Sequence, residues 1–296
     1  MTDDTSLKGP DITELEDLAR QSRAHIVRAI VGAHGGHLGG PLSAIDILIA
    51  LYFRVLRIRP DEPDWPDRDR FVLSKGHSSI ALYAALAMRG YFPLEELATF
   101  DAIDSRLQGH PDMSITPGVD MSSGSLGLGF SGACGIALGA RAADKDFATF
   151  VMLGDGECNE GVVWEAAHVV ERYRLDNIVA IIDHNKLQQF GWHGDTVDVR
   201  LPPYTGSQLV DRWSSFGWRV FEMDGHDMTD ILSTLDRACG HEGGPAAIVA
   251  HTVKGKGVSY MENNYTWHSR VPTPEELEIA MRELGEPLPG KGGESV

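Results

Sequence analysis

The stretch that decides the fold is FATFVMLGDGECNEGVVWEAAHVVERY, residues 147–173. It opens with Phe147–Leu153, a nearly continuous apolar run of the kind that forms a strand buried on both faces of a sheet. A short turn with two glycines follows, and Glu160–Tyr173 has the pattern of a helix. A buried strand that leads directly into a helix is typical of one unit of a parallel sheet covered by helices.

The same alternation continues on both sides of this stretch. Further strands are predicted at Phe71–Leu73, Ile178–Asp183, Trp218–Met223 and Ala246–Ala250. Helices are predicted at Ile12–Ala33, Ala44 to about Val55, Ser79–Met88, Ser207–Phe216, Thr229–Ala238 and Pro274–Leu284. Strands that alternate with helices predict an α/β fold, a doubly wound and mainly parallel sheet with helices on both faces. We expect a single domain over residues 1–296, with a flexible tail from about residue 286.

The composition is that of an ordinary globular domain, and it excludes several kinds of partner. The 296 residues are 42% hydrophobic and 23% charged, and 26 basic against 43 acidic residues leave a net charge of −17. Nucleic acid and membrane surfaces are poor partners, because both attract clustered Lys and Arg. The apolar runs are too short to cross a bilayer, and the start MTDDTSLKGP lacks the apolar segment of a signal peptide. Since the three cysteines form no metal-binding pattern, we expect a cytoplasmic protein with free thiols.

Polar residues follow the predicted strands, at the edge of a parallel sheet where ligands bind. Gly154–Asp155–Gly156 comes after one strand, and Asn185 and Leu187 come after the next. The two glycines let a ligand approach the backbone closely, and the helix that follows turns its N-terminus to the same point, which suits a diphosphate. A diphosphate needs a hard cation such as Mg²⁺, for which the Asp155 carboxylate, the Asn185 amide and the Leu187 carbonyl are suitable ligands. The alternative is an Asp–Gly turn and an Asn-capped turn without a ligand.

A second glycine cluster, residues 124–132, contains G-x-G-x-x-G at Gly127, Gly129 and Gly132. The dinucleotide-binding form of this pattern needs a strand in front of it, whereas a long irregular loop at 104–123 precedes it here. We therefore favour the start of a helix that packs closely on a cofactor ring. A nicotinamide-dependent dehydrogenase stays as the alternative.

Six of the twelve histidines lie in or beside predicted loops, at positions 34, 37, 77, 110, 251 and 268. Loops that converge on one edge of the sheet can bring several of them together as neutral imidazoles. Such a cluster suits proton transfer to and from sugar hydroxyls. The alternative for each histidine alone is a surface or capping position.

Together, these motifs resemble the N-terminal half of a transketolase. Gly154–Asp155–Gly156 with the later Asn185–Lys186 resembles the thiamine diphosphate signature, and four further motifs stand in the family's order. They are GGHLGGPLS (35–43), DRFVLSKGH (69–77), QGHP (108–111) and GVDMSSGSLGLG (118–129). The resemblance covers about residues 12–270, and His184 and the KGKG loop at 254–257 depart from it.

The resemblance assigns a role to twelve residues. The expected ligands of Mg²⁺, or of Ca²⁺ or Mn²⁺ in its place, are Asp155, Asn185 and the Leu187 carbonyl. The positions expected to contact thiamine diphosphate are His77, Gly124, Leu126, Gly154, Asp155, Gly156, Glu157 and Asn185. The expected catalytic residues, which handle substrate hydroxyls, are His37, His77, His110 and His268.

The resemblance implies a transferase that moves a two-carbon ketol unit from a ketose, commonly a ketose phosphate, to an aldehyde. Transketolases continue into a pyrimidine-binding domain and a C-terminal domain, whereas this sequence ends at Val296. We therefore expect a split enzyme that is active only with a second subunit carrying those domains, in an α2β2 assembly. Two alternatives stay open. One is the diphosphate-binding subunit of a 2-oxo acid dehydrogenase or deoxyxylulose-phosphate-synthase type enzyme, and the other is a non-catalytic cofactor-binding module.

Overall fold

A parallel five-stranded sheet runs through the centre of the computed structural model, which describes residues 9–189 and 205–288. In chain order the strands are β1 (Arg70–Leu73), β2 (Thr149–Gly154), β3 (Ile178–His184), β4 (Arg219–Asp224) and β5 (Ala246–His251). Their order across the sheet is β1-β2-β3-β5-β4, and every neighbouring pair is parallel. The predicted α/β fold with a doubly wound parallel sheet is confirmed.

Eight α-helices cover the sheet within the described residues. They are α1 (Ile12–Ala33), α2 (Gly39–Ala50), α3 (Ser79–Arg89), α4 (Leu128–Ala142), α5 (Gly161–Arg172), α6 (Gly206–Ser215), α7 (Met228–Cys239) and α8 (Pro274–Glu283). The sequence predicts a start of α2 at Ala44, whereas the helix begins at Gly39. Pro41 therefore lies in the first turn, where a helix does not need the missing N–H. None of these helices is both long and apolar enough to cross a membrane.

Alternate residues of each central strand point into two separate hydrophobic cores. In β2, Phe150 and Met152 belong to a core shared with α1, α2, α3, α7 and α8, whereas Val151 and Leu153 belong to a core shared with α4, α5 and α6. Each of these four side chains is at most 1% exposed, and such burial contributes about 1.5–3 kcal/mol per side chain. The two cores explain why the central strands are apolar throughout, while the edge strand β4 alternates between buried and exposed residues.

The sheet register brings the carboxyl ends of several strands to one edge. Gly154 at the end of β2 pairs with Asp183 of β3, and His184 pairs with His251 at the end of β5. The polar residues that follow β1, β2, β3 and β5 in the sequence therefore leave the sheet on the same side. This edge positions the candidate site.

The predicted flexible tail lies mostly outside the described residues, which end at residue 288. Within them, Arg20 of α1 donates a hydrogen bond to Glu286 at 3.0 Å, and Arg28 donates one to the Pro287 carbonyl at 2.8 Å. The chain is thus held against α1 as far as Pro287.

Candidate active site

A cavity of about 430 Å³, here called the central cavity, opens at the carboxyl edge of the sheet. Its lining includes all twelve residues to which the sequence assigns a catalytic, cofactor-binding or metal-binding role. They are His37, His77, His110, Gly124, Leu126, Gly154, Asp155, Gly156, Glu157, Asn185, Leu187 and His268. The fold thus brings together residues from both ends of the described chain, and their individual roles stay predictions.

Asp155 is a buried carboxylate of this cavity, with 3% of its surface exposed. Its two oxygens accept hydrogen bonds from the backbone N–H groups of Gly156 at 2.8 Å and Lys186 at 3.0 Å. Burial, and then the negative charge of Asp183, raise the pKa of Asp155 to about 6. In the described ranges, neither oxygen accepts a hydrogen bond from a basic side chain. The cost of burying this carboxylate is therefore only partly offset, and a bound cation would offset it further.

The turn after β3 orients the other two predicted metal ligands. Lys186 has a left-handed backbone conformation with φ of 66°, which is uncommon for residues other than glycine. Its N–H reaches Asp155, and the next N–H, of Leu187, donates to Asn185 Oδ1 at 3.2 Å. Asn185 Nδ2 donates to Asp183 at 3.1 Å, so the amide oxygen points away from Asp183. One hydrogen-bonded turn therefore holds all three predicted metal ligands.

Asp183 is a fully buried carboxylate whose importance the sequence does not reveal. Besides the Asn185 amide, it accepts hydrogen bonds from the Lys75 ammonium and from the hydroxyl groups of Ser43 and Thr252. Burial acts to raise the pKa of Asp183, but Lys75 and the hydroxyl donors together hold it below its usual value. Asp183 is therefore charged at neutral pH. In the sequence, Lys75, which lines the central cavity, stands two residues after β1 within the motif DRFVLSKGH.

Glu157 is the second buried carboxylate that lines the cavity, and it connects three of the surrounding loops. It accepts hydrogen bonds from the Ser74 hydroxyl and from the backbone N–H groups of Gly127 at 2.7 Å and Gly154 at 3.1 Å. These three residues follow β1, precede α4 and end β2. The sequence predicts only a backbone contact of Glu157 with the diphosphate, so it misses this role of the side chain.

Three of the predicted catalytic histidines form a cluster in the cavity. Their ring centroids lie 4.9 Å apart for His37 and His77, 5.1 Å for His37 and His268, and 5.3 Å for His77 and His268. Burial is the main cause that lowers the pKa of all three, to about 3 for His268 and well below the usual value for His77. The three rings are therefore neutral at pH 7, as proton transfer to hydroxyls requires.

The remaining loop histidines divide between the cavity and its surroundings. His110 packs beside Gly124, where an added β-carbon would lie 3.4 Å from the ring, and with His37 it also lines an adjoining cavity of about 520 Å³. His34 and His251, which the sequence also singles out, do not line the central cavity. His34 ends α1, and His251 belongs to a group of hydrogen-bonded side chains at the end of β5.

Lys254 is a buried cation of the cavity to which the sequence assigns no role. It is 2% exposed, and its Nζ donates to the Leu187 carbonyl at 2.7 Å and lies 2.8 Å from Nδ1 of His268. Burial lowers the pKa of Lys254 to about 8, although the charge of Asp155 acts in the opposite direction. The sequence signal is the KGKG loop that follows β5 at the same edge of the sheet.

The G-x-G-x-x-G pattern serves the packing of a helix. Between β1 and α4 the structure describes every residue and contains no strand, and Gly127 is the residue before α4, with φ of 82°. A β-carbon at Gly129 would lie 2.6 Å from Ser74 Cα, and one at Gly132 would lie 2.1 Å from Met121 Sδ. These glycines let α4 approach the end of β1, so the nicotinamide-binding alternative has no structural support.

The oxygens of the cavity fit a divalent cation that is bound together with a diphosphate. In the ranges that the structure describes, no three His, Cys, Asp or Glu side chains form a cage for a metal ion. The turn after β3 and Asp155 instead offer one carboxylate, one amide and one carbonyl oxygen. Mg²⁺ commonly takes few protein oxygens and completes its coordination with phosphate and water. The donor set therefore suits this cation.

The fold and the cavity define a doubly wound α/β domain with its central cavity at the carboxyl edge of a parallel sheet, where domains of this class bind ligands. Residues 15–287 match the family described as transketolase, thiamine diphosphate binding domain. The chain therefore belongs to the transketolase family, and the family predicted from the sequence motifs is confirmed.

Two relatives match this chain over nearly their whole length. An apulose-4-phosphate transketolase subunit from Phocaeicola vulgatus is 41% identical over 275 residues, which cover 93% of this chain and 95% of the relative. The 6-deoxy-6-sulfo-D-fructose transketolase subunit SqwG of a Clostridium species is 43% identical over 270 residues, which cover 89% of this chain and 95% of the relative.

Solved transketolase structures share the fold. The transketolase of Campylobacter jejuni superposes with a TM-score of 0.85 at 31% identity, over 94% of this chain and 43% of that chain. The transketolase of Leishmania mexicana superposes with a TM-score of 0.83 at 29% identity, over 92% of this chain and 41% of that chain. This chain thus spans about two fifths of the length of these transketolases.

Proposed function

We propose that this chain is the diphosphate-binding subunit of a two-component transketolase. With a second subunit, it transfers a two-carbon ketol unit from a ketose or ketose phosphate to an aldehyde. One observation carries the proposal: in a member of the transketolase family, the cation-binding oxygens and four histidines line the same cavity. The two-component arrangement is supported by relatives that are named as transketolase subunits and that the match covers to 95%.

The cofactor and its cation are assigned to the part of the cavity that follows β2 and β3. Thiamine diphosphate supplies the carbanion chemistry of ketol transfer when it is bound. Asp155, Asn185 and the Leu187 carbonyl hold Mg²⁺, and Ca²⁺ or Mn²⁺ can replace it. Backbone N–H groups of the turn at 154–157 hold the diphosphate, and the loop at 124–126 contacts the aminopyrimidine.

The histidines handle protons at the substrate hydroxyls. Because His37, His77 and His268 are neutral, each ring has one donor and one acceptor nitrogen. Such a ring can accept a hydroxyl proton and return it, which is the work of a general base and acid. His110 is assigned to the same work, since it lies where the central cavity meets the adjoining one.

We infer that the rest of the assembly covers the face formed by α4 and α5. Leu128, Val169 and Tyr173 are 52%, 44% and 53% exposed on these helices and at the end of α5. These exposed apolar side chains support a protein contact on this face. The partner carries the pyrimidine-binding and C-terminal domains, and an α2β2 assembly follows the usual closed twofold symmetry.

Substrate and location are proposed in outline. One relative is named for apulose 4-phosphate and another for 6-deoxy-6-sulfo-D-fructose. These names support a ketose donor with an anionic substituent. A cytoplasmic location is supported by the three cysteines, all of which are free.

The test is a ketol-transfer assay of the purified chain at saturating thiamine diphosphate and Mg²⁺, with and without the candidate partner. We expect no turnover by the chain alone, because the glutamate that activates the cofactor lies on the pyrimidine-binding domain in this family. Addition of the partner restores turnover, and Asp155→Ala in the mixture raises the thiamine diphosphate concentration that turnover requires. Robust turnover by the chain alone contradicts the two-component proposal. Cofactor binding without turnover in the mixture favours a non-catalytic module.

A further inference from the structure

Two histidines outside the central cavity form a pair at the carboxyl edge of the sheet. His184 is the last residue of β3 and His251 is the last residue of β5, and the two are partners in the parallel register. Neither of them lines the central cavity. His184 is also a position at which the sequence departs from the transketolase motifs, so the proposed ketol transfer gives no role to the pair.

The two rings face each other through their Nδ1 atoms, which lie 3.3 Å apart. A typical N–H···O hydrogen bond in proteins is shorter, at about 2.7–3.2 Å between its heavy atoms. Two imidazole nitrogens that bind one tetrahedral Zn²⁺ ion through bonds of about 2.0–2.1 Å lie about 3.3–3.4 Å apart. The separation of the two Nδ1 atoms therefore matches that of two ligands of one tetrahedral ion.

A carboxylate orients the ring of His251. Oε2 of Glu222, on the neighbouring strand β4, lies 2.8 Å from Nε2 of His251. Because an ionised carboxylate only accepts hydrogen bonds, Nε2 is the donor in this contact, and Nδ1 can present its lone pair towards His184. Histidines that bind metal ions commonly donate their second ring N–H to a carboxylate in this way. Glu222 thus supplies the support that a metal-binding histidine needs.

The surroundings hold both rings in place and leave one of them accessible. His184 is 2% exposed, whereas the His251 side chain is 36% exposed. At Gly206, the first residue of α6, an added β-carbon would lie 2.6 Å from Cε1 of His251 and 3.6 Å from Cε1 of His184. The glycine backbone therefore packs against both rings. Since solvent reaches His251, a metal ion and its water ligands can enter there.

We propose that Nδ1 of His184 and Nδ1 of His251 bind a Zn²⁺ ion, with water in the remaining positions of the tetrahedron. Imidazole nitrogens suit transition metals such as Zn²⁺, whereas Mg²⁺ prefers oxygen ligands. This site and the oxygens around Asp155 therefore select different ions. The ion joins the ends of β3 and β5 and stabilises the folded chain, because the unfolded chain does not hold the two nitrogens together.

The experiment is calorimetric titration of Zn²⁺ into the full chain in excess Mg²⁺, which competes for the oxygens around Asp155. His251→Gln removes one proposed ligand, and Glu222→Gln keeps both ligands but removes the carboxylate that orients one of them. His241→Gln is the matched control, because this histidine contacts Phe221 on the same edge strand β4. Co²⁺ in place of Zn²⁺ reports the geometry, since tetrahedral Co²⁺ absorbs visible light far more strongly than octahedral Co²⁺.

The expected result is one Zn²⁺ ion per chain in the wild type and in His241→Gln. Glu222→Gln should bind Zn²⁺ about 10–100-fold more weakly, which is the usual loss when such a carboxylate is removed, and His251→Gln should lose at least as much. Co²⁺ should give a tetrahedral spectrum with the wild type and not with His251→Gln. Zn²⁺ should also raise the thermal unfolding midpoint of the wild type and leave that of His251→Gln unchanged.

Two outcomes overturn the proposal. They are the absence of saturable Zn²⁺ binding in the wild type, and equal Zn²⁺ affinity in the wild type and His251→Gln. Either would mean that the two rings share only a hydrogen bond. If His251→Gln does not fold, Glu222→Gln, whose side chain is 53% exposed, takes its place, and unchanged affinity there overturns the proposal. None of these measurements depends on ketol transfer, so a failure here is distinct from a failure of the proposed function.

Discussion

The central cavity has two sides that are built in different ways. The first, here called the carboxylate side, lies at the ends of β2 and β3 and consists of Asp155 and Glu157, which line the cavity, and of Asp183, which is fully buried behind them. The second, here called the histidine side, lies in loops and consists of His37, His77 and His268. Every carboxylate accepts at least two hydrogen bonds. The three histidine rings lie against one another, and His268 also contacts the Lys254 ammonium.

The carboxylate side is suited to binding a cation, and the histidine side is suited to proton transfer. On the carboxylate side, Asp183 keeps its charge because Lys75 and several hydroxyl and amide donors stabilise it. On the histidine side, burial favours the neutral form of the rings. A fixed charge attracts a cation, while a neutral ring can accept and return a proton. Variants on the first side should therefore change affinity and stability, and variants on the second should change rate.

The largest effect is expected in turnover on the histidine side. With the partner present, His37→Ala and His110→Ala should each lower turnover by roughly 10²–10⁴-fold and leave cofactor affinity near normal, because a positioned acid or base contributes about that much. His77→Ala should also weaken cofactor binding, since His77 lies close to Lys75 in the loop after β1. The measurements are kcat and a thiamine diphosphate titration. His241→Ala, beside Phe221 of β4, is the control. Wild-type turnover in His110→Ala would remove its assigned role.

The next effect concerns stability on the carboxylate side. Lys75→Met leaves the buried charge of Asp183 without its cation, and breaking such a pair costs about 3–5 kcal/mol. Urea unfolding of the single variant and of Lys75→Met with Asp183→Asn measures this cost. The double variant should recover a large part of the loss, because it removes the uncompensated charge. Equal stability of wild type and Lys75→Met would show that the pair does not stabilise this side.

A smaller effect is expected in metal-dependent affinity. Asp155→Ala and Asn185→Ala should each weaken thiamine diphosphate binding in Mg²⁺ by at least about 10–100-fold, which is the loss that follows from changes around metal ligands. The chain should stay folded, since each side chain lies at the edge of the sheet. Calorimetric titration of the cofactor, with exposed Asp236→Ala as the control, measures the change. Unchanged affinity in both variants would remove the metal assignment.

Most of the fold could be predicted because its signals are local in the sequence. The apolar run of β2 and the helical spacing of α5 lie within 27 residues, and the other units repeat this pattern. The start of α2 could not be predicted in the same way. The sequence predicts a start at Ala44, whereas Gly39 is already helical, and Lys254 packs where a side chain at Gly39 would lie.

In the candidate site, too, residues with a local sequence signal could be predicted, and residues defined by distant contacts could not. Asp155 and Asn185 could be predicted because each follows a strand within its own motif. The roles of Lys75, Asp183 and Lys254 could not be predicted. The role of a buried charge is evident only from the residue that it contacts, and these contacting residues are far apart in the sequence. Lys75 and Asp183 are separated by 108 residues, and Lys254 and the Leu187 carbonyl by 67. Only the parallel sheet brings these strand ends together.

The smallest effect, and the one that tests the charge state of the histidine side directly, is in the pH dependence of stability. The pKa of His268 is about 3 in the folded chain and about 6.5 when it is unfolded. Below pH 6.5 the unfolded chain binds the proton and the folded chain does not, so His268 lowers the free energy of unfolding as the pH falls. A difference of one bound proton changes the free energy of unfolding by about 1.4 kcal/mol per pH unit. Because this ring is partly exposed, solvent reduces the change to about 1 kcal/mol per pH unit or less.

His268→Gln removes this proton-binding difference. The variant should therefore lose less stability than wild type between pH 6.5 and about pH 4, with the gap in the free energy of unfolding widening as the pH falls. Asp155 and Asp120, whose pKa values are raised to about 6, have the opposite effect, but both proteins contain them and their contribution cancels in the difference. Urea unfolding at several pH values gives the two curves. Parallel curves would mean that His268 takes up a proton as readily in the folded chain as in the unfolded one, and the histidine side would then carry charge below pH 6.5.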